Sequence, residues 1–208
     1  MPKGLSWQDR KAYLSIAKRL TKRGSGTRQG VLRERTQHYG VPNLVKYLAD
    51  VPFVVVGGLA TRLYMPERMT LDIDVLISRS RLPDAEKALR KAACRKLGPL
   101  TVGGSSWRLP DGASLDVLAL SDPWVDFTLA NPVHGEDGLP YVDLPSLVLM
   151  KLASGRVQDL ADITRMLGGA NKKDLRRTQE HVRKWRPQDT EDLDSMIRLG
   201  KLEYQDMR

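Results

Sequence analysis

The sequence predicts an α+β (α/β) protein: a small mixed β-sheet with flanking helices and a helical C-terminal region. Three patterns carry that prediction. Between Val51 and Ser78 a bare apolar run breaks at two glycines, resumes at helical spacing and ends in an alternating strand. Between Ser105 and Leu120 two strand-like segments flank Pro110-Asp111-Gly112-Ala113, with proline and glycine where a hairpin turn wants them. After Tyr141-Val142, read as a last short strand, the apolar residues recur at helical spacing. At 208 residues and 41% hydrophobic the chain can bury a core. It divides into a basic helical segment over 1–50, a sheet-bearing core over 51–143 and a helical region over 144–208, read together as one compact unit.

In the first segment Trp7, Tyr13, Leu14, Ala17 and Leu20 form one stripe among basic residues, which predicts an amphipathic helix from Ser6 to Arg23. Gly24-Ser25-Gly26 ends it. Further helices are expected over about 28–39 and 43–49. Asp9 and Glu34 interrupt any reading of this segment as a mitochondrial-type leader.

The first core strand is Phe53 to Val56. Gly57-Gly58 follows, and glycines after a strand let backbone N–H groups approach a phosphate at a helix start, where the dipole also favours an anion. In the strand Leu71 to Ile77, Leu71, Ile73 and Val75 point one way, while Asp72 and Asp74 point the other. The two carboxylates are then roughly 7 Å apart along the backbone. Adjacent anions repel and neither gains from leaving water, so a cation belongs beside them. A phosphate cradle upstream of a carboxylate pair suits magnesium, which takes oxygens from one or two carboxylates and from substrate phosphates. A solvated edge strand is the alternative.

Pro83 suits the first turn of a helix whose core side is Ala85, Leu89, Ala92 and Ala93, running to about Leu97 with Cys94 packed inside it. In the returning strand of the hairpin Asp116 is the one charged residue, opposite in direction to Leu115 and Val117. Asp122 and Asp126 follow in a proline-containing loop, and His134 in a turn-rich loop reads as exposed. Pro145 opens a helix over 146–153 that is apolar except for Lys151, which must reach water or an anion. Gly155 interrupts, and a helix from Val157 to Leu167 ends at Gly168-Gly169. There Arg156, Asp159 and Asp162 lie at spacings of three, for which a salt bridge is a sufficient account. Asn171 caps a basic helix to about Trp185. The acidic run Asp189 to Asp194 reads as a solvated first turn of the last helix.

The net charge of +9 is unevenly placed: eleven Lys/Arg against three Asp/Glu through Asp50, thirteen against fourteen from Val51 to Ala170, and ten against eight from Asn171 onward. Such asymmetry suggests a polyanionic partner, nucleic acid being the commonest, although lysine-rich helices are also simply soluble. The single cysteine, Cys94, excludes an intramolecular disulfide, and no Cys/His cluster has zinc spacing. No apolar run approaches the eighteen or so residues of a membrane span and no secretory signal pattern occurs, so a cytoplasmic protein without a membrane partner is expected.

The stretch VGGLATRLYMPERMTLDIDVLI resembles the signature of the nucleotidyltransferase fold, the polymerase-beta-like superfamily. Its usual form is a hydrophobic strand, Gly-Gly or Gly-Ser, then alternating hydrophobic and Asp residues. Arg68-x-Thr70-x-Asp72-Ile73-Asp74 is similar to the bacterial branch that includes AbiEii-type toxins of toxin–antitoxin systems, and the likeness covers roughly 53–167. It implies a magnesium-dependent enzyme that transfers a nucleoside monophosphate from an NTP to an acceptor hydroxyl. On that model Asp72 and Asp74 would hold two Mg²⁺ ions, and Asp116 would share one of them and draw the proton from the acceptor. Gly57, Gly58, Arg68 and Thr70 would bind the nucleotide, with Thr61 standing in for the serine that Gly57-Gly58 lacks. Lys151 would reach the triphosphate, and Arg156 and Asp159 would belong to the rim of the site, with Asp162 beside them. The acceptor would be an RNA end such as tRNA, met by the basic N-terminal helices, or a protein hydroxyl, and a separately encoded antitoxin would be a partner. Two other readings remain: a nucleotidyltransferase acting on an antibiotic, and a nucleotide- or nucleic-acid-binding module without turnover. Three filled carboxylate positions argue against the last.

Overall fold

The computed structural model describes residues 5–20, 43–65, 70 and 72–204. The helix expected over 28–39, together with Arg68 and Leu71, lies outside them. Among the described residues are nine α-helices: α1 (Trp7–Leu20), α2 (Val45–Leu48), α3 (Gly57–Tyr64), α4 (Leu82–Lys91), α5 (Pro123–Ala130), α6 (Leu144–Ser154), α7 (Val157–Gly169), α8 (Lys172–Trp185) and α9 (Thr190–Tyr204). They form two compact units rather than one. A sheet unit draws on 37–63 and 68–143, and a helical unit on 1–36, 64–67 and 144–208. The basic helix α1 therefore groups with the C-terminal helices. No helix among the described residues is long and apolar enough to cross a membrane.

The protein has a mixed α/β fold. Its sheet contains β1 (Val54–Val56), β2 (Ile73–Ser78), β3 (Arg95–Pro99), β4 (Gly104–Arg108), β5 (Ser114–Leu120), β6 (Val133–His134) and β7 (Pro140–Tyr141). Their order across the sheet is β3-β4-β5-β2-β1-β7-β6. β2 is parallel to β5 and β1 to β7, and the remaining pairs are antiparallel. Val54, Val55 and Val56 of β1 and Val75, Leu76 and Ile77 of β2 are all buried, the continuous apolar run of strands covered on both faces. β5 alternates instead: Leu115, Val117 and Ala119 are fully buried, and Asp116, Leu118 and Leu120 are half-buried between them.

The helix expected to reach Leu97 stops at Lys91. Ala93 takes a positive φ of 59°, and Arg95–Pro99 leaves the helix to pair with β4 as an edge strand. Pairing to the sheet overrides the local helical pattern, and the exposed Arg95, Lys96 and Pro99 suit an edge that must not recruit another strand. Cys94 is buried in the turn between the two elements, not in the helix, and burial pushes its thiol pKa up.

In the helical unit, α7 and α9 meet backbone to backbone. A Cβ on Gly168 would lie 2.6 Å from the Gly200 carbonyl oxygen, so both positions need glycine. Lys201 Nζ donates to the carbonyls of Gly168 (3.0 Å) and Ala170 (2.6 Å), satisfying the exposed C-terminal end of α7. The stripe expected on α1 is turned: Trp7 is 50% and Leu20 74% exposed, while Arg10 and Leu14 are buried. Arg10 Nη1 lies 3.0 Å from Asp189 and Arg10 Nε 3.7 Å from Asp192, both buried. The acidic run is therefore not a solvated turn. With α1 against α9, Arg10, joined at Asp189 by Arg186 Nε, supplies the positive charge that lets these acids leave water.

Candidate functional site

β1 runs straight into α3, Val56 ending the strand and Gly57 opening the helix. Gly57 has a φ of +63°, which L side chains rarely adopt. A Cβ there would overlap Asp74 Oδ2 and lie 2.8 Å from Asp74 Cγ. The glycine is required twice over, by backbone conformation and by the carboxylate packed against it. The first N–H groups of α3 thus begin beside an acidic side chain, where an isolated helix leaves them without partners.

Register supplies the second carboxylate. Val56 of β1 stands opposite Asp74 of β2, and Asp74 stands beside Asp116 of β5. Because β2 and β5 are parallel, residues in register share a face, on backbones about 4.8 Å apart. Asp74 and Asp116 are half-buried. Asp72 differs from expectation in its setting: β2 begins at Ile73, so Asp72 precedes the strand and is exposed.

The other expected residues fall into two groups. In the sheet unit a Cβ on Gly58 would lie 2.6 Å from Thr70 Cγ2, so Thr70 packs directly on the helix start. Thr61 is fully buried and donates its hydroxyl to the Gly57 carbonyl at 2.8 Å. In the helical unit Lys151 is 7% exposed, with Nζ 3.0 Å from Asp159 Oδ1 and 2.7 Å from Asp162 Oδ2. Arg156 Nε lies 2.7 Å from Asp159 Oδ2, which also accepts from the Ser154 hydroxyl. Burial by itself raises the Asp159 pKa, but the Lys151 ammonium and the hydrogen bonds from Ser154 and Arg156 outweigh it and hold the carboxyl below its ordinary value.

One positioning residue escapes a reading of the sequence. Arg62 Nη2 donates to the Thr70 carbonyl at 3.1 Å, tying α3 to the segment that leads into Asp72. Nothing in local spacing marks it, because its partner is eight residues on and beyond the end of the helix.

The donor set consists of carboxylates alone, which suits a hard cation. Among the described residues no three or more His, Cys, Asp or Glu side chains gather closely enough to hold a metal ion by themselves. Asp74 and Asp116 form a pair, and a pair completed by substrate phosphates and water is the usual protein share of a magnesium site.

No protein-family model matches the chain, and no curated protein matches it by sequence. Among solved structures it is similar to ANT(2″)-Ia in complex with adenylyl-2″-tobramycin, at 17% identity and a TM-score of 0.43, covering 74% of this chain and 94% of that one. It is similar to the Thermotoga maritima CCA-adding enzyme complexed with tRNA at 15% identity and a TM-score of 0.37, covering 86% of this chain and 53% of that one. It is similar to the Megavirus polyadenylate synthase at 11% identity and a TM-score of 0.32, covering 100% of this chain and 36% of that one.

Proposed function

We propose that the sheet unit is a nucleotidyltransferase that moves a nucleoside monophosphate from an NTP to an acceptor hydroxyl. The observation that carries this reading is the register of Asp74 with Asp116 beside a glycine turn that tolerates no side chain. Backbone N–H groups at Gly57 and Gly58 would bind phosphate oxygens, because bare backbone at a helix start is an anion seat. Asp74 and Asp116, completed by substrate phosphates and water and with Asp72 beside them at the strand entrance, would hold two magnesium ions, which when bound would supply positive charge to the attacking and leaving oxygens. Asp116 would accept the proton of the acceptor hydroxyl. The acceptor oxygen forms its bond to the α-phosphorus as the bond to pyrophosphate breaks. Thr70 and Arg62 would keep the strand entrance in place, and positioning supplies most of the rate in such transfers.

An RNA end is the acceptor we favour, on the strength of the +9 net charge. A cationic antibiotic would want exposed acids, and the acidic run that could offer them has Asp189 and Asp192 buried against Arg10. A toxin role with a separately encoded antitoxin belongs to the same reading. The test is incubation with each labelled NTP, magnesium and total RNA, comparing wild type with Asp74→Asn. The reading requires label in an RNA band that the variant fails to produce; label in neither, with nucleotide still bound, leaves a binding module.

A further inference from the structure

We infer that α8 is a docking surface for double-helical RNA, independent of the proposed catalytic site. At 100° per residue, Lys172, Lys173, Arg176, Arg177, Arg183 and Lys184 fall within an arc of about 140° on one helix roughly 21 Å long. All six are exposed, and the arc contains one acid, Glu180. The opposite side is the packed one, with Thr178 and Val182 fully buried. Among the described residues Arg177 is the one cation of the six with an ion pair, to Asp174 at 3.8 Å.

The chain count conceals this surface. From Asn171 onward ten cations face eight acids, but Asp189 and Asp192 are inside and meet Arg10, and Asp194 accepts from Gln179. Two of the eight acids are thus withdrawn from solvent, while the six cations of α8 stay exposed. The field outside α8 is therefore more positive than the composition of its region suggests.

Charge and shape select the partner. A helix that lies in a membrane surface needs large apolar side chains beside its basic face, and α8 has none exposed. A helix that reads bases in the DNA major groove presents Asn, Gln, Ser or Thr along with arginine; this arc consists of Lys, Arg and Glu180 alone. Two rows, Lys172, Arg176 and Arg183 on one side and Lys173, Arg177 and Lys184 on the other, match two lines of phosphates. The deep, narrow major groove of A-form RNA brings two such lines together, and double-stranded RNA is recognised by backbone and shape.

The experiment measures binding of the full-length protein to a fluorescein-labelled 20-base-pair RNA duplex, without nucleotide or magnesium, over a series of salt concentrations. The variant Lys172→Gln/Arg176→Gln/Arg183→Gln should weaken binding at least about tenfold and flatten the log–log salt slope by roughly 2 to 3, at about 0.9 for each phosphate left without its cation. Lys87→Gln/Lys91→Gln/Arg95→Gln, three exposed cations of the sheet unit, should bind as wild type, and so should the charge-preserving Lys172→Arg/Lys173→Arg/Lys184→Arg. Asp74→Asn should also bind as wild type, which separates this surface from the proposed chemistry. An unchanged slope in the first variant overturns the proposal. So does equal or tighter binding to a DNA duplex of the same sequence, or to vesicles containing one quarter phosphatidylglycerol.

Discussion

Two sets of carboxylates, one in each unit, are treated in opposite ways. In the helical unit Asp159, Asp162, Asp189 and Asp192 are all at most 3% exposed and meet Lys151 or Arg10. In the sheet unit Asp72 is exposed and Asp116 half-buried, neither in an ion pair among the described residues, and Asp74 packs against a bare glycine turn. A buried acid with its own cation has nothing left to bind, and removing that cation leaves a charge stranded out of water. Acids such as Asp72 and Asp116, in no ion pair among the described residues, are candidates for a ligand.

The sharpest test of this contrast is Asp74→Asn, which should lower nucleotidyl transfer by at least about a thousandfold, close to 4 kcal/mol of barrier. Its urea midpoint should stay near that of wild type; a collapse of the sheet unit would move Asp74 into the structural class. Next in size, Lys151→Met should destabilise the helical unit by about 3–5 kcal/mol in urea unfolding, because the buried Asp159 and Asp162 both lose the Lys151 ammonium. The expectation that Lys151 also serves the triphosphate meets the same variant. Transfer reduced with stability intact would establish that role and break the comparison. Gly57→Ala should cost about 1–2 kcal/mol for the left-handed backbone alone, and more once Asp74 is pushed aside. Loss of transfer should therefore exceed what its lowered stability explains. Asp72→Asn should leave stability within about 0.5 kcal/mol, as exposed substitutions do.

Acid gives a smaller effect with a definite sign. Asp159 is held below the ordinary carboxyl value of 3.8, so the fold favours its ionised form. That stability is present above the ordinary value and lost as pH falls through the depressed one. Asp192 is raised by burial, against the pull of Arg10, so protonating it costs the fold less than leaving it charged. Urea midpoints taken at pH 5 and pH 3 should therefore fall for wild type and fall less for Asp159→Asn. An equal fall in both would assign the acid sensitivity elsewhere.

Much of the sheet unit could be read from residue order. The valine run before Gly57-Gly58, the alternation around Asp74 and Asp116, and the turn at Asp111-Gly112 all act through neighbours close in sequence, where period and turn chemistry speak directly. The early stop of α4 could not be read so, since the edge pairing of Arg95–Pro99 with β4 decides it. Asp72 shows the same limit on a smaller scale, one residue outside the strand it was expected to join.

By itself the sequence determined the mixed sheet, the glycine turn and the candidate carboxylates, because each is written in spacings of a few residues. Beyond i,i+3 pairs such as Arg156–Asp159, only the tertiary structure decided which acids are buried against a cation. Lys151 lies eight residues from Asp159, and Arg10 and Asp189 are joined across almost the whole chain. Whether a charge is solvated or neutralised depends on what packs over it, and that partner is chosen by the fold rather than by position along the chain.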